Sequence, residues 1–569
     1  MPNNIQQDWL NHKELMLIRG VGKTPGDSTS AELDPVVVDL LSGLITLEPE
    51  DGWSPQIPPL KNGGVWTDSP INDGRQLLAA PNANVIETIT VNIADAGYLN
   101  VNRALSSLNQ MVADCRDYWQ TETQIDPVYL RWLVSCGAGP QFALIYNIDI
   151  ATVYLPGIVP SMRVTLKIER EPAWRPFPPG SNPKQWAYYI NTAHPQWNVN
   201  GASLLTGSDH FFTQTINNKS EINPSSTAAP LTQNWIDIPG STIPGDAPAL
   251  AELSVVSDVE NLQNLYISLS SKDLSQPSHD GTTHYGTYVL NAGDASVITA
   301  VKVNTGSNVT GVRSNGSAVN FFNVTRTVTG ADANPVLFCS WSVDRQLLRG
   351  THAIFCRCSN ASAAPVLADM KIRMAFSEND GSNSNFLYTQ FINPPITGAT
   401  KNLVYMGTIT IPFSSRGVVS ALGYGTQIQN ANTNLNIILQ EQVLVATANR
   451  ILEVVDLIFM PVDEALIAVI DGPTAGALAA SETTVLDNSG YSSRGELQSV
   501  AYNILTRTDS GGVSQEIRGP DLTLRPKVDQ RLSFIAESYS GLATSVSRLT
   551  QTFVVRLNII PRWYGIRDV

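Results

Sequence analysis

The chain has 569 residues, enough for roughly 3 to 4 domains at about 150 residues each. Charged residues make up only 15%, and Asn, Thr, Ser, Gly and Pro fill the gap, which suits many short strands joined by turns. A net charge of -14 repels phosphate backbones and argues against a nucleic-acid-binding role. The opening residues lack the basic and apolar regions of a secretory signal, and no apolar run nears the ~20 residues that cross a bilayer, so neither secretion nor membrane insertion is expected.

In chain order, residues 15–18 and 36–41 read as strands, and the Pro-rich run 53–59 links them to a polar, Gly-rich loop. That loop is Gly63-Gly64-Val65-Trp66-Thr67-Asp68-Ser69-Pro70, running into Asp73-Gly74-Arg75. A strand at 85–91 follows, then an amphipathic helix over 101–119. Its apolar stripe is Val101, Leu105, Leu108, Val112, Cys115 and Trp119, with Asn100 or Asn102 as N-cap. Arg103, Asn109, Asp114 and Arg116 fall on the other face. One helix inside an otherwise all-β chain is usually a topological device. It points toward an assembly protein and away from an α/β enzyme.

Strands at 127–135, 142–153 and 163–171 complete a first unit, residues 1–180, expected as a β-sandwich with one packed helix. The Pro-rich run 171–179, which contains Trp174, is its semi-rigid exit. Residues 181–234 read as a polar connector. From 235 to 475, strands at 251–256, 264–270, 285–290, 336–343, 352–358, 370–376, 404–411, 435–439 and 454–460 predict a jelly-roll-type β-sandwich. Polar loops near 271–284, 303–316 and 377–386 should project from its ends. Residues 476–569 form a last β segment with strands at 500–506, 531–537 and 552–560. It closes with Pro561-Arg562-Trp563-Tyr564-Gly565, whose adjacent aromatics should pack on the chain or on a neighbouring subunit. The fold class is thus mainly β throughout.

Catalytic signatures are thin. Gly20-Val21-Gly22-Lys23-Thr24 lacks the leading glycine and following helix of a phosphate loop, and Gly423-Tyr424-Gly425 lacks the third glycine of a dinucleotide fingerprint, so both read as turns. No Gly-x-Ser-x-Gly elbow occurs. The six histidines, His12, His194, His210, His279, His284 and His352, form no helical zinc pair. Five cysteines, Cys115, Cys136, Cys339, Cys356 and Cys358, are irregularly spaced and argue against a disulfide framework. Cys356 and Cys358 share a strand face, where Cys339 and His352 are the only further soft ligands. Small buried hydrophobes are the simpler reading.

Glu169 with Glu171, or Asp456 with Asp463 or Glu464, are carboxylate pairs of the kind glycoside hydrolysis needs, but exposed strand carboxylates are common. The oxygen-rich run 378–383 lacks the closing Glu of a helix-loop-helix calcium site. Loop aromatics Trp186, Tyr188, Tyr189, Trp197, Phe211 and Phe212 could stack on sugars or seal a subunit interface, and the interface is favoured. No catalytic residue, cofactor or metal is assigned.

Trp66 through Pro70 with Asp73-Gly74-Arg75, the strand 86–91, the helix ending Asp117-Tyr118-Trp119, and the runs 127–130 and 166–170 resemble the N-terminal region of distal tail or tail-hub proteins of long-tailed bacteriophages and prophages. The closing run 561–565 looks like the end of virion structural proteins. The resemblance covers about a third of the chain. It implies a ring-forming sandwich-plus-helix domain, commonly six copies, that joins the tail tube to the tip. It further implies contacts with other tail proteins, assembly in the host cytoplasm, a place in the virion, and an outer sandwich of carbohydrate-binding type facing host glycans. Interface candidates are Trp66, Asp68, Arg75, Trp119, Trp174, Trp563 and Tyr564. The alternatives are a tail fibre or capsid decoration protein, a monomeric carbohydrate-binding module, and a glycan hydrolase.

Overall fold

The computed structural model describes residues 12–19, 36–48, 52–59, 65–68, 75–79, 82–120, 128–134, 140–155, 160–175, 198–199, 202–203, 212–217, 235–257, 264–271, 288–291, 306–312, 318–328, 331–344, 350–360, 369–378, 386–394, 402–411, 434–445, 447–462, 464–470, 482–487, 506–509, 514–517, 519, 522–537 and 552–565. The chain is mainly β, with antiparallel ladders and one α-helix among the described residues.

The N-terminal body contains β1 (His12–Arg19), β2 (Val36–Asp39), β3 (Ile45–Leu47), β4 (Val65–Asp68), β5 (Arg75–Ala79) and β6 (Val85–Ala94). It continues with α1 (Tyr98–Gln120), β7 (Val128–Val134), β8 (Gln141–Leu155) and β9 (Ser161–Arg170). Seven strands form one sheet in the order β2-β1-β7-β8-β9-β6-β3. The long strand β8 serves two partners: residues 141–144 pair with β7 and the remainder with β9. The register shifts between Ile145 and Asn147, and such a bulge bends a strand. The bent sheet closes its two halves on a common core of Leu15, Leu17 and Leu130 from one side and Ile89, Val91 and Leu166 from the other.

β6 shows why this sheet has an inside. Val85, Glu87, Ile89, Val91 and Ile93 are buried or nearly so, and the residues between them face outward, as the period of 2 requires. One of those inward positions is a glutamate.

Helix α1 packs on β8, β1, β6 and β7. Val101, Leu108, Val112 and Cys115 are buried as the stripe predicts, joined by Ala104, Met111 and Tyr118, whereas Leu105 and Trp119 sit half-buried at its margin. Two expectations are corrected. The helix begins at Tyr98, so neither Asn100 nor Asn102 is its N-cap: Asp95 Oδ1 accepts the Gly97 N–H at 2.6 Å and the Asn100 side-chain amide at 3.1 Å, and the Gly97 carbonyl accepts the Asn100 N–H at 3.1 Å. Asp114 is buried, because Arg19 of β1 reaches it at 2.7 Å and Gln110 donates to its other oxygen at 2.8 Å. The expected loop at 63–78 is also more regular than its composition suggests. β4 and β5 form a hairpin in which Asp68 stands opposite Arg75.

Beyond residue 212 the sheets build two sandwiches. The first pairs Phe212–Asn217, Thr552–Arg562, Ala247–Ser257, Thr483–Asp487, Thr506–Asp509 and Ser514–Glu516 in one sheet, with Thr523–Leu524 also on Ala247–Ser257. It faces a second sheet of Trp235–Ile238, Gln530–Glu537, Asn264–Ser271 and Ala465–Ile470. Leu253, Val255, Ile267, Leu269, Phe534 and Leu557 fill the space between them.

The second sandwich opposes a sheet of Gly306–Val312, Ala318–Val328, Thr447–Pro461, Gly350–Asn360 and Asn402–Ile411, with Tyr288–Asn291 on Thr447–Pro461, to one of Val336–Asp344, Asn434–Val443, Met370–Glu378 and Phe386–Tyr388. Trp341, Phe376, Leu439, Leu457 and Phe459 form its core, with Cys356 and Cys358. The stretch 235–475 is therefore not one sandwich. The second sandwich is inserted in the first, whose ladders join distant segments, Ala251 to Ile559 and Ile267 to Phe534. The C-terminal segment supplies four of the first sandwich's inner strands, Thr483–Asp487, Thr506–Asp509, Gln530–Glu537 and Thr552–Arg562, and the expected connector contributes Phe212–Asn217 at an edge. The expected loop at 303–316 contains the strand Gly306–Val312.

The sandwiches stack. Tyr266 and Ile535, on the outer face of the first, pack with Phe355, Ile458 and Met460 of the second. The Tyr266 and Phe355 rings lie 4.6 Å apart. Four sheets follow one another in layers.

Candidate functional site

Among the described residues, a buried polar network lies on the inner face of the N-terminal sheet. Register places Val85 opposite Arg170, so Glu87 and Arg170 are diagonal neighbours on the inner face. Arg170 Nε and Nη2 donate to Glu87 Oε1 at 3.0 and 2.6 Å, and Nη1 donates to the Glu171 carbonyl at 2.8 Å. Glu87 also accepts from Trp53 Nε1 at 3.0 Å and from the Gln56 amide at 3.1 Å. The guanidinium stacks 4.3 Å from the Trp174 ring centroid. Both charged side chains are 0% exposed. Burial lowers the Arg170 pKa, and the Glu87 carboxylate opposes that shift and keeps the ion pair.

Trp53, Trp132 and Trp174 pack around this pair, Trp132 lying 5.2 Å from each of the other two. His12 closes the cluster: its Nδ1 accepts from Trp132 Nε1 at 3.0 Å, and burial lowers its pKa. A folded histidine with depressed pKa binds fewer protons than the unfolded one. Stability is therefore expected to fall as pH drops below the ordinary value of 6.5. Denaturant titrations across that value should show the loss in the wild type and a flatter profile in His12→Gln. Equal slopes would exclude His12 as the cause.

The network continues into a joint. Glu171 accepts the Leu144 amide at 2.8 Å and pairs with Arg175 through Nε at 2.9 Å and Nη2 at 2.6 Å. Trp174 and Trp563 exchange backbone hydrogen bonds at 2.7 and 3.0 Å, which ties the N-terminal body to the last strand of the first sandwich. Arg562 Nε donates to the Pro248 carbonyl at 2.6 Å. Part of Arg562 reaches solvent, yet burial of its guanidinium lowers its pKa, against the pull of Glu171. The Tyr564 amide donates to Asp246 at 2.8 Å, its hydroxyl accepts from Asn82 at 2.5 Å, and Gln141 donates to the Gly565 carbonyl at 3.0 Å. Burial, then Glu171, pushes the Tyr146 hydroxyl up to about 12.

Of the interface candidates, Trp174 and Trp563 are buried inside this joint, so they pack on the chain itself. Tyr564 is half-buried there. Trp119 donates to the Ile145 carbonyl at 3.0 Å and its ring meets those of Tyr118, edge-on, and Tyr146, tilted, at 4.9 and 5.1 Å. Trp66, Asp68 and Arg75 fall on the β4–β5 hairpin. Sequence reasoning missed Glu87 and Arg170. The available signal was a glutamate at the inward parity of Val85-x-Glu87-x-Ile89.

Three of the carboxylates weighed for hydrolysis have structural partners, while Asp463 and the side chain of Asp456 lie outside the described residues. Glu169 accepts from Asn84 at 2.8 Å, Glu171 is fixed by Arg175, and Glu464 accepts from Ser271 at 2.6 Å and also from Arg525 and Gln530. Cys356 and Cys358 sit in the second sandwich's core, and His352 is buried beside Phe459. Among the described residues no group of three His, Cys, Asp or Glu is placed to hold a metal ion. Burial pushes the Cys115 thiol up to about 12, so it should resist iodoacetamide at neutral pH until the chain is unfolded. Residues 20–24, 379–383 and 423–425 lie outside the described residues, as do His194, His210, His279, His284 and the aromatics from Trp186 to Phe211. No helix of the described residues is long and apolar enough to cross a membrane.

Among the described residues of the N-terminal body, exposed apolar side chains stand at the helix start and near the end of β8: Tyr98 and Leu99 are 65% and 61% exposed, and Val153 and Tyr154 57% and 56%. The Tyr98 hydroxyl neighbours that of Tyr154 and raises its pKa, which places the two segments together.

No family model matches this chain, and no curated protein matches it. Among solved structures, the glycoside hydrolase domain of Endo-D from Streptococcus pneumoniae R6 overlaps 40% of this chain at 8% identity with a TM-score of 0.15, and the chain spans 37% of that structure's length. The phage P2 baseplate in its activated conformation with Ca overlaps 78% of this chain and 97% of its own at 6% identity and a TM-score of 0.19. Infectious bursal disease virus, Gt strain, overlaps 56% and 68% at 11% identity and 0.16. Two of the three are viral structures. Overlaps this loose define no shared fold and carry no functional argument.

Proposed function

We propose that this chain is a structural protein of a phage virion, a distal-tail or tail-hub component that assembles as a homo-oligomeric ring between tail tube and tip. The observation that carries the reading is the exposed apolar cluster of Tyr98, Leu99, Val153 and Tyr154. It lies on the N-terminal body, the part of the chain whose sequence resembles tail-hub proteins. Exposed apolar side chains gathered from two segments mark association surfaces. The buried charges support the same reading, because Glu87, Arg170, Glu171 and Arg175 act as structural ties within the chain. A ring of about six copies, neighbouring tail proteins and a place in the virion follow from the resemblance.

Negative-stain electron microscopy with mass photometry tests the proposal. Closed rings are expected for the wild type. Leu99→Ser with Tyr154→Ser should release monomers without moving the melting temperature, since both side chains are mostly exposed. A wild type that stays monomeric at high concentration would overturn the ring. Extended particles would favour a tail fibre instead.

A further inference from the structure

The outer face of the second sandwich carries an arrangement that the tail reading does not use. Lys371 and Arg373 alternate with the buried Ile372 and Met374 on the strand Met370–Glu378, so both point away from the core. The segment beside them is pinned by backbone: Ile372 and Ile392 exchange hydrogen bonds at 2.8 and 2.9 Å, and Thr389 donates to the Met374 carbonyl at 3.0 Å. This brings two aromatic rings against the cations. The Arg373 guanidinium lies 3.9 Å from the Tyr388 ring centroid and 4.6 Å from that of Phe391, and Lys371 Nζ lies 4.3 Å from Phe391. On the other side, Arg373 Nε donates to Gln440 at 2.8 Å, and Gln442 stands opposite Lys371.

Arg373 is thus held by two rings and one hydrogen bond through its Nε. Its Nη donors meet no acceptor among the described residues, and neither cation is ion-paired there. Two adjacent unneutralised cations are notable on a chain with 50 acidic and 36 basic residues. A guanidinium fixed in place with an open fork is preorganised for a carboxylate, which it meets with two parallel hydrogen bonds. Tyr388 is 49% exposed and offers an apolar ring beside the fork, while on the same face Gln440, whose oxygen accepts from Arg373, offers its amide nitrogen, and Gln442, whose nitrogen donates to the Asp332 carbonyl at 2.9 Å, offers its amide oxygen.

We propose that this face binds a carboxylated oligosaccharide. Arg373 takes the carboxylate, Lys371 adds a second charge contact, Tyr388 packs on a sugar ring, and the glutamine amides bond hydroxyls. A flat sheet surface with a fixed cation, an exposed ring and side-chain amides suits an acidic sugar better than an apolar partner. The inference does not rest on the tail reading, since a monomer would bind equally well.

Calorimetric titration of the full chain at low salt tests it, with a polygalacturonate tetrasaccharide, a hyaluronan tetrasaccharide and neutral maltotetraose as probes. At least one acidic probe should bind and the neutral one should not. Affinity should fall as salt rises. Arg373→Gln should weaken binding by roughly tenfold or more, Lys371→Gln by less, and Arg373→Lys should not restore it, because lysine lacks the fork. Wild-type melting of Lys371→Gln guards against a folding artefact. The proposal fails if no acidic probe binds better than maltotetraose, if the variants bind as the wild type does, or if inorganic phosphate competes as well as the acidic sugar. Success here with a failed ring test would leave a glycan-binding monomer. The converse would leave an assembly protein without this site.

Discussion

Arg170→Ala is expected to destabilise the N-terminal body by about 3–5 kcal/mol, because it leaves the Glu87 carboxylate buried without its counter-charge. Glu87 would keep its bonds from Trp53 and Gln56, which soften the loss without neutralising the charge. Removing the guanidinium also opens space beside Trp174, whose ring it covers. Glu87→Gln should cost less, since an amide keeps the shape and most of the hydrogen bonding. The double change Glu87→Met with Arg170→Met should recover much of the loss, as apolar replacements of buried ion pairs often do. The chain has several cores, so one global unfolding free energy is not a well-defined quantity. Tryptophan fluorescence during urea titration is the suitable probe, because Trp53, Trp132 and Trp174 surround the pair. An Arg170→Ala protein that unfolds at the wild-type urea midpoint would contradict the assignment of this pair as a major tie.

How much of this was legible in the sequence follows from the range of the interactions involved. Strand positions were readable because alternation and turn residues are local: the expected strand at 142–153 became Gln141–Leu155, and that at 163–171 became Ser161–Arg170. The helix was readable for the same reason, apart from its cap and Asp114, which depend on Asp95 and Arg19. The sheets were not readable, because nothing local in Leu253 says that it pairs with Leu557, some 300 residues later. Composition misled at 66–75, where Asp, Ser, Pro and Gly suggested an irregular loop but β4 and β5 pair. For the joint, the adjacent aromatics Trp563 and Tyr564 are visible in the sequence as side chains that need a partner. Their partners, Trp174 and Asn82, could be found only in three dimensions.

Trp563→Ala should cut that joint. The side chain is buried, and deleting a buried tryptophan costs about 3–5 kcal/mol through lost apolar burial and the cavity left behind. The backbone exchange with Trp174 can persist, but it would lose the ring that shields it from water. Gly245→Ala approaches the same place from the opposite side. Gly245 has a φ of +98°, and a Cβ there would sit 2.2 Å from the Arg562 carbonyl oxygen. The methyl group must either push the end of the last strand aside or force the turn open, and either displaces Trp563. Both variants should therefore uncouple the N-terminal body from the first sandwich while leaving each core intact. Calorimetry should then resolve a separate, earlier transition for the N-terminal body. If the chain forms rings, Trp563→Ala should still form them, since Tyr98, Leu99, Val153 and Tyr154 lie outside the joint. Its averaged images should show a sharp inner ring and a blurred periphery, because the sandwiches would no longer be held at one angle. A Trp563→Ala protein with an unchanged melting profile and a sharp periphery would mean that the joint does not set the orientation of the sandwiches, and that other contacts do.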